Sequence, residues 1–179
     1  MLFRSLDDAG NPVPPRTEGT VFMRMHNLDF VYKGDQAKTD ANRVGENFTV
    51  GDIGYLDDDG FLFLCDRKAD MIIAGGVNIY PAEIEAAILE HPQVGDVAVF
   101  GVPDDDMGEQ IKAVVEPIEG VAPDERLRSS IMEHVHGRLA KFKWPRTLDF
   151  VEQLPREPTG KLLKRVLRDP YWEGRDRAI

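Results

Sequence analysis

The sequence lacks several features that would assign the protein to common classes. It has one cysteine, Cys65, so no disulfide bond can form within the chain. No apolar run approaches the roughly 18 to 20 residues that cross a bilayer, and residues 1–8 lack the apolar core of a secretory signal. These absences predict a protein of the reducing cytoplasm that has no membrane span.

Positive charge is also scarce. Lys and Arg number 22 against 32 Asp and Glu, which gives a formal net charge of −10. Such a chain is poorly suited to bind nucleic acid or anionic lipid, so we expect neither partner. The hydrophobic content of 42% is enough for a packed core, and we expect a globular protein.

Several common kinds of active site have no motif here. A P-loop needs glycine at the position of Pro155 and Ser or Thr at the position of Leu162. The glycine fingerprint of dinucleotide sites and the Gly-x-Ser-x-Gly turn of serine hydrolases do not occur. The four histidines have no cysteine or carboxylate grouping with metal-ligand spacing, so we predict no metal site.

Short apolar runs separated by turn residues fill the first third of the chain. Residues 33–46 have no clear periodicity and predict a polar loop. The apolar runs predict small antiparallel β-structure, with the last two strands joined in a hairpin by an Asp-rich turn. The predicted strands cover residues 20–25, 47–52, 53–56 and 61–65.

Strands and helices alternate in the rest of the chain. Pro81 is suited to begin a helix over residues 81–90, and Asp124 to cap a second helix that ends near Phe142. Apolar runs, most of them rich in valine, predict strands at 71–74, 94–102, 111–117 and 147–151. We therefore predict an α+β protein, with a β-rich segment at residues 1–66 and a compact α+β domain at residues 67–179.

Two charged residues near the predicted boundary are candidate nucleotide ligands. Asp52 follows a predicted strand, where its carboxylate could accept hydrogen bonds from ribose hydroxyls, although an ordinary turn aspartate fits the same pattern. Arg67 could grip a hydroxyl or phosphate with its guanidinium. A surface salt bridge with Asp66 or Asp70 is the alternative.

Glycine and aromatic residues supply further candidates. Gly75 and Gly76 lie between a predicted strand and a predicted helix, where their backbone could approach a thin ligand or form a plain loop. Residues 141–146 combine three cations with two aromatic rings. This combination suits a phosphorylated nucleotide with a stackable base, although a basic helix end with inward-packed rings is the alternative.

Lys161 lies at the end of a turn that contains two prolines and a glycine. Pro155 and Pro158 restrict the backbone, and Gly160 permits a tight turn. We expect a helix to begin directly at Lys161, so that its ammonium and the helix amides attract the same anion. A solvated lysine in a surface turn is the alternative.

The order of these motifs closely resembles that of the adenylate-forming acyl-CoA synthetases. The resemblance rests on residues 51–55, 66–85 and 155–165, and it covers nearly the whole chain. The chain is similar to only the last third of such an enzyme: the end of the large N-terminal domain and the whole small C-terminal domain. The Ser/Thr/Gly-rich pyrophosphate loop, the adenine-binding motif and the acyl pocket of the family have no counterpart here.

The resemblance implies a reaction in which a carboxylic acid and ATP form an acyl-adenylate, which the thiol of coenzyme A then attacks. It makes Asp52 the acceptor for the ribose hydroxyls and Arg67 a second ribose and phosphate contact. Lys161 becomes the lysine that neutralises charge between the carboxylate and the α-phosphate. The Mg²⁺ that accompanies ATP would be bound mainly by the missing domain.

The resemblance also implies a coenzyme A site formed after the small domain swings round. Gly75 and Gly76 would line the pantetheine path, while Phe142, Lys143 and Arg146 would hold the nucleotide end. Two positions depart from many relatives: Ala69 stands at the expected hinge, where Asp or Lys is common, and Trp144 replaces a phosphate-binding arginine.

We therefore predict the C-terminal portion of an ATP-dependent acid:CoA ligase that is inactive without the N-terminal adenylation domain. The segment at residues 77–81 resembles that of members acting on medium-chain, long-chain or polycyclic acids, which favours a fatty acid substrate, but the acid pocket is not in the chain. One alternative is a non-catalytic module that binds coenzyme A or a protein partner. Another is the adenylation domain of a peptide synthetase, which shares these motifs.

Overall fold

The computed structural model describes residues 2–26 and 30–175. The chain divides into two compact units, Met1–Ala69 and Asp70–Ile179. This division falls three residues after the predicted boundary, because the last strand of the first unit extends to Arg67 and a 3₁₀ turn over Lys68–Asp70 follows it. The two units together confirm the predicted α+β class.

The first unit is an antiparallel sheet with one short helix. The strands lie in the order β3-β4-β2-β5-β6, and β1 pairs with β2. The apolar residues Leu6, Val21, Phe48 and Ile53 are buried in it. Its elements are β1 (Leu2–Leu6), β2 (Gly19–Arg24), α1 (Gln36–Ala41), β3 (Arg43–Val44), β4 (Asn47–Phe48), β5 (Asp52–Leu56) and β6 (Leu62–Arg67).

Two predictions for this unit were wrong. The single strand expected at 47–52 is two strands, because Gly51 adopts φ +87° and breaks the extended backbone between β4 and β5. The loop expected at 33–46 contains α1, whose first turn is capped by Asp35 as its carboxylate accepts the Lys38 N–H at 2.9 Å. The hairpin of β5 and β6 is confirmed.

The second unit has a mixed sheet with its two longer helices on one face. The strands lie in the order β11-β10-β7-β8, and β9 pairs with β10; β10 and β11 run parallel, and the other pairs are antiparallel. Its elements are β7 (Ile72–Ala74), β8 (Val77–Ile79), α2 (Pro81–Leu89), β9 (Val94–Asp104), β10 (Gly108–Pro117), α3 (Glu125–His136), β11 (Thr147–Phe150) and α4 (Lys164–Arg168), with 3₁₀ turns at Lys141–Lys143 and Asp169–Trp172.

Alternate residues of β9 and β10 belong to two separate apolar clusters. One cluster holds residues such as Ile111 together with Ile84 and Ile131 of the two long helices. The other is formed by Ala98, Phe100, Val102, Val114 and Leu154, against which Leu162 and Leu167 pack. The sheet is therefore covered on one face by α2 and α3 and on the other by the chain that follows β11.

Helix α3 ends earlier than we predicted. Asp124 caps it as expected, since its carboxylate accepts the N–H groups of Arg126 and Leu127. The helix stops at His136 rather than near Phe142, because Ala140 takes an extended conformation with ψ 146°. The apolar stripe nevertheless continues to Leu139, which packs on the core outside the helix.

Candidate functional site

Asp52 and Arg67 lie side by side in the first unit. They are directly opposite in the antiparallel register of β5 and β6, and Arg67 Nε lies 3.4 Å from Asp52 Oδ1. Asp52 begins β5 rather than ending a strand, which corrects the predicted position. The guanidinium is paired with Asp52, whereas Asp70 lies 3.8 Å from the guanidinium of Arg168. A carboxylate and a cation are thus presented together at one end of a hairpin.

Gly75 and Gly76 form the two-residue turn between β7 and β8, not a strand-to-helix loop. Ala74 pairs with Val77 across the turn, and the glycines have φ +58° and +78°. Two consecutive positive φ values characterise the tight hairpin turns that match strand twist. The missed strand β8 is only three residues long and precedes Pro81 closely, so it gave little pattern in the sequence.

The turn is held from one side by the connection between β9 and β10. Gly75 N–H donates to the Met107 carbonyl at 2.8 Å. A Cβ on Gly75 would lie 2.4 Å from Met107 Cε, whereas a Cβ on Gly76 would meet nothing within 4 Å. Gly75 is therefore needed for both its backbone angle and its close approach to Met107.

A cleft of about 700 Å³ opens beside this turn. Its walls come from β7, β8, β10, the end of α3 and the 3₁₀ turn after it. Gly75, Phe142 and Arg146, which are far apart in sequence, all line it, but Gly76, Lys143 and Lys161 do not. The other lining residues are Ala74, Val77, Asp104, Met107, Glu109, Gln110, Ile111, His136, Lys141, Trp144 and Pro145.

Some side chains of the basic aromatic segment, residues 141–146, face the cleft, and others contact neighbouring parts of the domain. Phe142 is 54% exposed at the cleft. Lys143 instead forms an ion pair with Glu83 of α2 at 2.5 Å. Trp144 stacks on His136 with ring centroids 3.8 Å apart and donates from Nε1 to the Leu139 carbonyl at 2.9 Å. The cleft therefore has an exposed ring, a fixed indole and the cations Lys141 and Arg146.

Lys161 closes a narrow turn rather than beginning a helix. Helix α4 starts at Lys164, three residues later, and is only five residues long, so the expected site at a helix N-terminus is wrong. The turn is closed by Gly160 N–H donating to the Glu157 carbonyl at 2.8 Å and Glu157 N–H donating to the Lys161 carbonyl at 2.9 Å. Gly160 has φ +88°, as the predicted tight turn requires.

The lysine turn and the cleft lie on opposite faces of the β9–β10 ribbon. Leu162, next to Lys161, packs in the cluster of Phe100 and Val114. The cleft residues Ile111 and Trp144 belong to the other cluster. The second unit thus presents two distinct sets of candidate residues on its two sides.

The pKa of His91 is lowered from its ordinary value by the surroundings of its ring. Burial lowers the pKa of this imidazole below 6.5, and His134, whose ring lies 5.4 Å away, lowers it further. His91 Nδ1 accepts the Gln93 N–H at 3.3 Å, and Nε2 lies 3.0 Å from Ser130 Oγ. These bonds are those of a neutral imidazole, so His91 serves the core between α2 and α3 rather than the cleft.

Neither a metal centre nor a membrane-spanning helix is found in the described ranges 2–26 and 30–175. No three His, Cys, Asp or Glu side chains there are arranged to hold a metal ion. No helix in those ranges has the length and apolar character that crossing a bilayer requires.

Comparison with known proteins assigns these features to a family. Residues 83–161 match the family model of the AMP-binding enzyme C-terminal domain. The chain is 42% identical over 160 residues to a 2-succinylbenzoate–CoA ligase of Geobacillus kaustophilus, a match that covers 89% of this chain and 32% of the relative. The chain belongs to the adenylate-forming enzymes.

Two further matches support membership of the adenylate-forming enzymes. A long-chain fatty acid–CoA ligase of Mycobacterium tuberculosis is 47% identical over 124 residues, which cover 69% of this chain and 24% of the relative. The o-succinylbenzoate CoA synthetase of Bacillus subtilis, solved with its acyl-adenylate intermediate, is 32% identical with a TM-score of 0.84, over 93% of this chain and 33% of that chain. The chain thus spans about a third or less of the length of these relatives.

Sequence reasoning missed several residues of the cleft. Met107 gave no signal, because its contact with Gly75 joins two turns that are more than 30 residues apart. Lys141 stood in the basic stretch but was not singled out over Lys143, since only the structure shows that Glu83 engages the latter. His136 could be predicted on α3 but not its stacking on Trp144.

Proposed function

We propose that this chain supplies the catalytic lysine and the coenzyme A cleft of an ATP-dependent carboxylic acid:CoA ligase. The observation that carries the proposal is the cleft that gathers Gly75, Phe142 and Arg146, on the sheet face opposite the Lys161 turn. Two faces with different chemistry suit a reaction in two steps. Family membership and the acid:CoA ligases among the relatives support the same function.

In the first step, a carboxylate oxygen of the acid attacks the α-phosphorus of ATP, and pyrophosphate leaves. Negative charge from both reactants converges on the α-phosphate, and the Lys161 ammonium would stabilise it in the transition state. Lys161 makes no ion pair or side-chain hydrogen bond with any described residue, so its charge is available for this task. Asp52 would accept the ribose hydroxyls, and Arg67 beside it would contact ribose and phosphate.

In the second step, the sulfur of coenzyme A attacks the acyl carbon and AMP leaves. The Gly75–Gly76 turn would flank the pantetheine chain, and the exposed Phe142 ring would stack on the adenine base. Arg146 and Lys141 would bind phosphate groups. Lys143 would join them only by leaving its ion pair with Glu83, so we assign it the smallest part.

A change of domain orientation between the steps would bring each face to the acyl-adenylate in turn. Ala69, the proposed hinge, is the last residue of the first compact unit. Hinges absorb a change in backbone angles at a few residues between rigid bodies. A small, uncharged side chain at this position would let the 3₁₀ turn at Lys68–Asp70 reorganise at low cost.

The relatives support the substrate class that we propose. We propose a fatty acid as the substrate class, because the Mycobacterium tuberculosis relative is named for long-chain fatty acids. The Mg²⁺ of the ATP complex would be bound outside this chain, since the described residues form no metal cluster. The cytoplasm is the proposed location. The partner is an N-terminal adenylation domain that supplies the pyrophosphate loop and the acid pocket.

The test is ATP–pyrophosphate exchange with a panel of carboxylic acids. We expect the purified chain to give no detectable exchange. A fusion of this chain to the part of the Geobacillus kaustophilus relative that precedes the matched region should give exchange that depends on acid. Robust exchange by the chain alone would contradict the need for a partner domain. An exchange rate of the fusion that does not change in Lys161→Ala would indicate a non-catalytic module instead.

A further inference from the structure

We propose that Arg156 is a positioning residue that holds the Lys161 turn against the sheet. This inference rests on the proposed role of Lys161 in adenylation. Lys161 is exposed and has no side-chain partner among the described residues. The direction in which its ammonium points therefore depends on how firmly the backbone of its own turn is held.

The sheet offers the turn two carboxylates that lie directly opposite each other. Asp96 of β9 pairs with Glu116 of β10 in the antiparallel register. Like charges at directly opposite positions are unfavourable unless each finds a partner. Glu116 accepts the Leu154 N–H at 2.8 Å, and Asp96 is paired with the Arg156 guanidinium. The chain leading to Lys161 thus gives each carboxylate of the pair a partner, a backbone N–H for Glu116 and a guanidinium for Asp96.

Arg156 also reaches forward into the turn itself. Its Nη2 contacts the Asp96 carboxylate while Nη1 donates to the Gly160 carbonyl, one residue before Lys161. The planar guanidinium fixes the relative direction of these two hydrogen bonds, whereas the ammonium of a lysine would leave their directions free. One side chain therefore connects the tip of the lysine turn to strand β9.

The other anchors of this segment lie at its base. Leu162 packs in the apolar cluster of the sheet face, and Leu163 N–H donates to the Pro155 carbonyl at 2.8 Å. Lys164 forms a largely buried ion pair with Glu85 of α2 at 2.7 Å. These contacts fix where the turn leaves the sheet, whereas Arg156 acts on Gly160. Loss of Arg156 should free the tip without releasing the base.

The first experiment uses NMR to measure the rates of amide hydrogen exchange in the Lys161 turn of the purified chain. Arg156→Gln should speed amide hydrogen exchange at Glu157 and Gly160 about fivefold, because a charge-assisted tether is lost. Arg156→Lys should restore part of the protection. Arg138→Gln is the matched control, since Arg138 likewise joins a carboxylate, Glu90, to a backbone carbonyl, His134, but on α3. It should leave the turn amides unchanged.

The second experiment measures adenylation in the fusion described above. Arg156→Gln should lower kcat about tenfold with KM for ATP changed less than about twofold, because Lys161 is misplaced rather than removed. Arg156→Lys should recover part of kcat, and Arg138→Gln should be neutral. If Arg156→Gln unfolds the chain, Asp96→Asn weakens the same tether from the strand and should give the same pattern.

The outcomes separate this inference from the proposed function. Unchanged turn amides, or an unchanged kcat in a fusion that Lys161→Ala inactivates, would overturn the role of Arg156. A third outcome is faster amide hydrogen exchange in the Arg156→Gln chain together with a fusion whose adenylation rate does not change in Lys161→Ala. That outcome would support the tether and overturn adenylation by Lys161. Equal loss of kcat in Arg156→Lys and Arg156→Gln would also count against positioning.

Discussion

The two glycine turns of the second unit are built differently, although both have positive φ at glycine. The Gly75–Gly76 turn is enclosed on one side by Met107 and lies on a cleft with a stacked indole. The Gly160 turn is open, since a Cβ there would meet nothing within 4 Å, and a charged tether rather than packing holds its tip. The comparison indicates a packed wall on one face and an exposed cation on a tethered turn on the other.

The apolar base of the lysine turn gives the largest expected effect. Leu154 is 2% exposed and belongs to the cluster that carries Leu162. Leu154→Ala should lower the free energy of unfolding by about 2–5 kcal/mol, as for other buried leucines. Urea unfolding followed by circular dichroism measures this loss. Leu162→Ala, at a partly buried position, should cost less, and a greater cost there would mean that the base of the turn has been misidentified.

Alanine at the two turns tests the contrast between an enclosed and an open glycine. Gly160→Ala should cost about 1–2 kcal/mol, the penalty of a left-handed backbone. Gly75→Ala should cost about 1 kcal/mol more, because its Cβ must displace Met107. Gly76→Ala, which has a similar φ and open space, is the control. Equal costs at Gly75 and Gly76 in thermal unfolding would contradict the close approach.

Arg146 tests the assignment of the cleft to coenzyme A. In the fusion, Arg146→Ala should raise KM for coenzyme A about tenfold, because a phosphate contact is lost. ATP–pyrophosphate exchange should not change. Arg165→Ala, an exposed cation of α4, serves as the control. Stopped-flow or steady-state assays of thioester formation provide the measurement. A loss of ATP–pyrophosphate exchange instead would show that Arg146 acts in adenylation and would contradict its assignment to coenzyme A.

The smallest expected effect concerns the helix pair beneath the cleft. The pKa of His91 is lowered in the folded state by burial and by His134, so the unfolded chain takes up the proton first as pH falls. The stabilisation is complete above about pH 6.5 and is lost as pH falls through the lower folded pKa. His91→Gln should flatten the pH dependence of the free energy of unfolding between pH 7 and 5, which urea unfolding at a series of pH values measures; an unchanged pH dependence would contradict the role of His91.

The parts of the fold that follow local patterns could be predicted from the sequence. Asp124, Ile131 and Val135 revealed α3, and the Asp-rich turn revealed the β5–β6 hairpin. The end of α3 and the strand β8 could not be predicted, because they depend on the backbone angles of Ala140 and on pairing with β7. Tertiary contacts decide such positions over local propensity.

The candidate site divides in the same way. The residue types of Asp52, Arg67 and Lys161 predict anionic and ribose-bearing ligands from the sequence, and these ligands stay a prediction. The pairing of Asp52 with Arg67 and the occupation of Lys143 by Glu83 required the structure, because each joins residues that are 15 or 60 positions apart. The choice between Lys141 and Lys143 at the cleft depended on the same information.

The most direct test of the account compares the two half-reactions in the fusion. Lys161→Ala should lower adenylation by about 10²–10³-fold, the range found when one preorganised donor to a transition-state charge is removed. The same variant should convert supplied acyl-adenylate to the thioester at nearly the wild-type rate. Equal loss in both half-reactions, or loss only in thioester formation, would contradict the assignment of Lys161 and the cleft to separate steps.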